Sequence, residues 1–271
     1  MRVVPAVVAL GTFAACGRFG FEGGDGVAKP DAPPAFDSDP TIDSPIGLGD
    51  YTVTQSTTGY TPLAAAMPVP GFVGGADDEA YSLPLPFTFT FYGITYATVS
   101  VAVNGYLTFG VPPTGTDNFD NDCAIDATPP DALIAVFWDD LFASKMYTPY
   151  GSIGYAELGV APDRRVEIEW RDLDAFYSTG GGNNNFTQLL RTTQKVVLHE
   201  TGVIDLHYGP RTPPTRNQDC GIDRHLGCSA TVGLEAPSST SSKMIQCGTK
   251  DGPLAGYTPL DEGRLITFTP Q

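Results

Sequence analysis

Apolar and polar residues alternate along this chain in short runs. Between Tyr81 and Phe109 apolar side chains recur at alternate positions in two rows, first at Phe87, Phe89 and Phe91 and then at Val99, Val101 and Val103. A period of two puts each row on one face of an extended segment, so the stretch predicts two strands with an apolar side each. Asn104-Gly105 follows, a pair that tolerates positive φ at a tight reversal, and Tyr106 to Phe109 predicts a third strand. Leu133 to Trp138 is an unbroken apolar run closed by Asp139-Asp140, which predicts a strand buried on both faces. Ser152 to Leu158 and Arg165 to Arg171 predict a pair. In the second, Val166, Ile168 and Trp170 alternate with Glu167 and Glu169, one face in and one out. Thr187 to His199 and Val203 to Tyr208 form a hairpin around Glu200-Thr201-Gly202. Tyr51 to Gln55, Ala230 to Leu234 and Leu265 to Thr269 complete the set, and no segment has a helical period. Roughly ten to twelve strands at this spacing predict an all-β fold, a two-sheet antiparallel β-sandwich.

Composition agrees with that reading and narrows the partners. With 31 Gly and 24 Pro among 271 residues, turns are frequent and helix formers scarce. The formal net charge of -16 argues against nucleic acid, whose phosphates are held by clustered Lys and Arg. An acidic surface suits cations or basic partners.

The N-terminus departs from the strand pattern. Residues 1–15 carry Arg2, an apolar run from Val3 to Leu10, and small residues before Cys16. This is too short to span a bilayer and matches the hydrophobic part of a signal peptide. Residues 16–47 turn to Gly, Pro and Asp, with too few clustered apolar side chains to form a core, and predict a disordered tether. The β-sandwich domain is expected over 48–271. Of the five cysteines, Cys16 stands apart, while Cys123, Cys220, Cys228 and Cys247 allow three pairings into two disulfides. The preferred pairing closes a short loop between Cys220 and Cys228 and joins Cys123 to Cys247. No two cysteines have the close spacing of zinc ligands.

Two family resemblances follow from these residues. Thr12-Phe13-Ala14-Ala15-Cys16 resembles the lipobox of bacterial lipoproteins, although Phe13 stands where Leu is usual. The resemblance implies cleavage before Cys16 and its lipidation. Leu85-Pro86-Phe87, Phe91-Tyr92-Gly93, Val103 to Phe109, Ile134 to Asp140, Gly202 to Gly209 and Ala230 to Glu235 together resemble a nidogen-like extracellular β module. That resemblance covers about residues 80 to 235. It implies an all-β module with adhesion or matrix-contact roles and carries no catalytic residues across.

Candidate chemistry is sparse. Asp117, Asp120, Asp122 and Asp126 crowd one loop and offer oxygen ligands to calcium, but their spacing is not that of an EF-hand, and a solvated loop is the preferred reading. His199 and His207 fall on neighbouring strands, where exposed strand residues are preferred to a metal pair. Phe176, Tyr177, Asn183 and Asn184 flank a Gly-rich tip and form a candidate ligand loop for carbohydrate or protein. No nucleophile elbow or triad context exists. Asp77-Asp78 and Asp139-Asp140 are adjacent pairs that a strand would split between its faces. The expected function is that of a non-catalytic envelope lipoprotein without a cofactor, held to the membrane through a lipid anchor at the outer membrane or cell surface and acting as a binding or adhesion module. The alternatives are a structural envelope lipoprotein without a ligand, or a hydrolase of unfamiliar type. Recognition is expected in the loops Asp117 to Asp126, Phe176 to Asn185 and Arg211 to Cys228.

Overall fold

The computed structural model describes residues 49–112, 119–121, 130–145, 149–176, 190–213, 224–237, 241–249, 252–253 and 257–271. The strands in chain order are β1 (Tyr51–Thr57), β2 (Met67–Pro68), β3 (Ala80–Phe91), β4 (Ile94–Ala102), β5 (Tyr106–Thr108), β6 (Leu133–Trp138), β7 (Leu141–Phe142) and β8 (Ser152–Leu158). They continue with β9 (Arg165–Ala175), β10 (Arg191–His199), β11 (Ile204–Thr212), β12 (Thr231–Glu235), β13 (Ser242–Gln246), β14 (Gly248–Thr249), β15 (Gly252–Pro253) and β16 (Arg264–Pro270). One 3-10 turn, Arg224–Leu226, precedes β12.

Two antiparallel sheets make the sandwich. The larger has eight strands in the order β1-β16-β11-β10-β9-β8-β2, with β7 pairing beside β9, and the smaller has six, β13-β12-β6-β5-β4-β3. The excess over the expected ten to twelve strands comes largely from two-residue pairings such as β2 and β7, too short to show a period in sequence.

The alternation read from the sequence is the core. Phe87, Phe89, Phe91, Val99, Val101 and Val103 all turn inward, against Ile168, Trp170, Leu206 and Phe268 of the larger sheet. β6 is buried on both faces, as its unbroken apolar run requires. Two core aromatics also bond across the gap: the Trp170 indole N–H donates to Ala102 O at 2.8 Å, and the Tyr208 hydroxyl to Val136 O at 2.8 Å. Each satisfies its own polar atom on the opposite sheet's backbone, which fixes the slide of one sheet on the other.

The β4–β5 reversal is a three-residue loop, Val103 to Gly105, in which Gly105 alone takes positive φ (+78°). A Cβ at Gly105 would lie 2.1 Å from Phe137 O, because Gly105 O accepts from the N–H groups of both Val136 and Phe137. The hairpin tip is thus pressed onto β6, which brings Asn104 beside Asp139.

The outer face of the larger sheet departs from expectation. Glu167 and Glu169, expected in solvent, are 9% and 2% exposed. The segment from Gly59 to Ala66 crosses that face as a strap. The Tyr60 hydroxyl (2.5 Å) and the Leu63 N–H (3.1 Å) both donate to Glu169 Oε1, and Lys195 Nζ donates to Thr61 O at 3.1 Å. Arg171 ion-pairs with Glu169 and donates to Leu63 O, while Lys195 pairs with Glu167 at 2.8 Å. Burial alone would raise the Glu167 carboxyl, but hydrogen bonds from Lys195 and Arg165 outweigh it and hold the group below its ordinary range. A second departure is Arg211, expected to open a loop. β11 runs on through it, and its guanidinium lies in the core between Phe137 (5.3 Å) and Tyr208 (5.7 Å), donating to Thr193 O and Leu260 O. Burial pushes it down to about 10.

Candidate functional site

The described parts of the three long loops meet at one end of the sandwich, around Asp139. This residue ends β6 with no exposed surface. Its Oδ1 accepts the Asp140 N–H at 2.9 Å, its Oδ2 accepts the Ser229 hydroxyl at 2.5 Å, and Arg224 Nη1 stands 3.8 Å from Oδ1. Burial raises the carboxyl against the lowering influence of Arg224, Ser229 and the Asp140 amide. A carboxylate at a strand end commonly bonds the next backbone amide, and Asp139 does so. The bonds from Ser229 and Arg224 go beyond that local role.

From the first loop, Asn121 is 1% exposed and donates through Nδ2 to Ser229 O (2.7 Å) and Thr231 Oγ1 (3.1 Å). From the second, the Phe176 N–H donates to Asp140 O (2.8 Å), and its carbonyl accepts from Arg224 Nη1 (3.3 Å). The third supplies the turn Arg224–Leu226 and then Ser229; His225 Nε2 lies 2.6 Å from Pro213 O, closing that loop's base. The β4–β5 hairpin completes the set. Asn104 is fully buried; its Oδ1 accepts the Leu141 N–H at 2.7 Å and its Nδ2 donates to Asp78 Oδ1 at 3.1 Å.

Asp140, half-buried beside this knot, also has a raised carboxyl. Burial, then the neighbouring Asp139, Asp77 and Asp78, push it up to about 7. Asp77 is raised too, by burial and by Asp78 and Glu79. The two acidic pairs seen in sequence are therefore brought into electrostatic range of one another. Asp139 is sealed away and braces the loops, whereas Asp140 changes its charge near neutral pH.

The other candidates separate. Asp117, Asp122 and Asp126 lie outside the described residues, as do Tyr177, Asn183, Asn184, Cys16, Cys123 and Cys220. Each preferred cysteine pairing thus joins a described residue, Cys228 or Cys247, to one outside. Among the described residues no group of three His, Cys, Asp or Glu side chains is arranged to hold a metal ion. His199 and His207 lie within electrostatic range of each other and of Asp205. His199 pairs with Asp205 (Nε2 to Oδ2, 2.9 Å), whose other oxygen accepts the Thr267 hydroxyl at 2.5 Å. With the carboxylate in the middle, the hydroxyl faces an acid and not the imidazole, so this chain of groups does not activate a nucleophile. His207 is lowered by burial and by Lys195, opposite it on β10.

Sequence reasoning missed Asn104, Arg224 and Ser229. Asn104 was hidden by its neighbour, since Asn-Gly is turn chemistry whatever the side chain reaches, and Ser229 has no local signature at all.

Two antiparallel sheets packed as a sandwich, with the described roots of several long loops tied at one end, define an all-β sandwich module. A model of the NIDO-related family matches residues 50–270, and the chain belongs to that family. This agrees with the nidogen-like resemblance and extends it past both ends of the 80 to 235 stretch. No curated protein and no solved structure matches the chain.

Proposed function

We propose that the protein is an exported, non-catalytic binding module of a bacterial cell envelope, lipid-anchored through Cys16, held on the 16–47 tether and stapled by Cys123–Cys247 and Cys220–Cys228. Its partner is a protein or a carbohydrate, taken by the loops at the Asp139 end. The observation that supports this is the convergence there of Asn121, Phe176 and Ser229. The roots of the longest loops are tied to one another around one buried carboxylate, which gives a recognition surface the rigid base it requires. The acidic surroundings of Asp140 favour basic protein segments or the hydroxyl groups of sugars.

Protease shaving of intact cells tests display, and glycan and matrix-protein arrays test binding. Surface cleavage, with saturable array binding that is lost when residues 180–185 are deleted, is the expected result. Protection from protease on intact cells, or binding untouched by the deletion, overturns the proposal. Display without saturable binding on either array favours the structural lipoprotein.

A further inference from the structure

The four outer strands of the two sheets are not alike. A sheet edge presents unpaired backbone N–H and C=O groups, and proteins blunt it with proline, charge, bulges or very short strands. β2 has two residues and ends in Pro68; β3 carries Pro84 and Pro86 and a register break between Pro84 and Phe89; β13 carries Lys243. β1 has none of these devices. Its sequence, Tyr-Thr-Val-Thr-Gln-Ser-Thr, is uncharged, free of proline and paired without a break to β16.

The phase of that pairing shows which groups face outward. Thr58 N–H donates to Gly263 O and Gln271 N–H to Asp50 O. In an antiparallel ladder alternate residues bond to the partner, so Asp50, Thr52, Thr54, Ser56 and Thr58 turn their backbone toward β16. Tyr51, Val53, Gln55 and Thr57 turn theirs away. The Tyr51 N–H is capped by Asp50 Oδ1 at 2.8 Å, while no described residue pairs with the other three. From Thr54 to Thr57 the strand is exposed on both faces. Beside that half lies a groove of about 410 Å³ lined by Gln55, Ser56, Thr57, Asp261, Glu262 and Arg264. Arg264 donates to Thr258 O, Pro259 O and Gln55 Oε1 and keeps its charge, so Asp261 and Glu262 together outnumber it by one and leave the groove lining net negative.

We infer that β1 is a strand-addition site for an extended, cationic segment of a partner protein. Such a segment pairs with the outward backbone of Val53, Gln55 and Thr57 and places a Lys or Arg in the groove beside Asp261 and Glu262. Charge decides against a second copy, because two chains of net charge -16 repel each other along any edge-to-edge approach. The site lies on a sheet edge and does not depend on the loops at the Asp139 end.

The test uses the full chain in detergent and a fluorescent Lys-Thr-Val-Thr-Val-Thr-Lys peptide, with its Glu-flanked counterpart as control. We expect the Lys peptide to bind at least about tenfold more tightly than the Glu peptide, and to slow amide exchange at Val53, Gln55 and Thr57 by at least about tenfold. Gln55→Pro removes an outward N–H that β16 does not use, so it should weaken binding about tenfold or more and leave the melting temperature nearly unchanged. Thr54→Lys with Ser56→Lys, both at exposed positions, should repel the same peptide without touching the ladder. Unchanged exchange at the three amides, or equal binding by Gln55→Pro and the double lysine variant, overturns the inference. So does a dimer in sedimentation that Gln55→Pro dissociates, since the edge would then be occupied by a second copy.

Discussion

At the scale of single residues, Asp139 and Asp140 show how neighbouring carboxylates are separated by what surrounds them. Asp139 has its oxygens taken by Ser229 and the Asp140 amide. Asp140 has acids for company and a folded pKa of about 7, above the unfolded carboxyl value of about 3.9. The folded state therefore holds this proton more tightly than the unfolded state. The stability it contributes is fully present below about pH 3.9, declines as pH rises, and is lost above about pH 7. Asp140→Asn removes the titration and leaves intact the Asp140 carbonyl that receives the Phe176 amide. The variant should match the parent near pH 4 and exceed it at pH 8, by on the order of 2 kcal/mol after allowance for solvent screening. Chemical denaturation across that pH range measures the difference. A gap that does not change with pH would mean that Asp140 is ionised throughout.

At the scale of elements, the strap from Gly59 to Ala66 depends on few bonds. Glu169 Oε1 receives both the Tyr60 hydroxyl and the Leu63 amide, and the Tyr60 ring lies under Lys195 at 5.8 Å. Tyr60→Phe keeps the ring and deletes one charge-assisted bond, a loss of about 1–2 kcal/mol. The sheet below is built from other contacts, so the loss should appear as local opening. Hydrogen exchange at the Leu63 amide should accelerate about tenfold while exchange in β9 and β10 stays as before. Equal acceleration in the strands would show that the strap and sheet open together. This element also marks where sequence stops being informative. The period of two at Phe87 to Phe91, at Val99 to Val103 and at Val166 to Trp170 was legible because local alternation is all that a strand face needs. Glu167 and Glu169 read as solvent-facing for the same reason, since alternation separates two faces and does not say what covers the second. Arg211 is the converse case, a charged residue whose burial rests on Thr193 O, Leu260 O and two aromatic rings from distant parts of the chain. Of the candidate site, the acidic pairs and the three loops were visible in sequence. Their meeting point was not, because the bonds from Ser229 to Asp139 and from Asn121 to Ser229 span 90 and 108 residues.

At the scale of the whole molecule, net charge bears on how the proposed lipid anchor would have to work. With 31 acidic residues against 15 basic ones, the chain is repelled by anionic lipid head groups. Among the described residues no helix is long and apolar enough to cross a bilayer. Under the proposed function the acyl chains at Cys16 then supply nearly all the membrane affinity, and stable anchoring needs more than one such chain. Loss of the anchor should be all or none. Cys16→Ser should move the protein from the detergent phase to the aqueous phase of a phase-partition assay, and from the membrane to the soluble fraction of broken cells, equally at low and high salt. A basic surface patch would behave otherwise, with binding that strengthens as salt falls. Retention of Cys16→Ser on membranes at low salt would therefore reveal an attraction that the charge balance denies, and full retention at every salt would show that Cys16 is not the anchor.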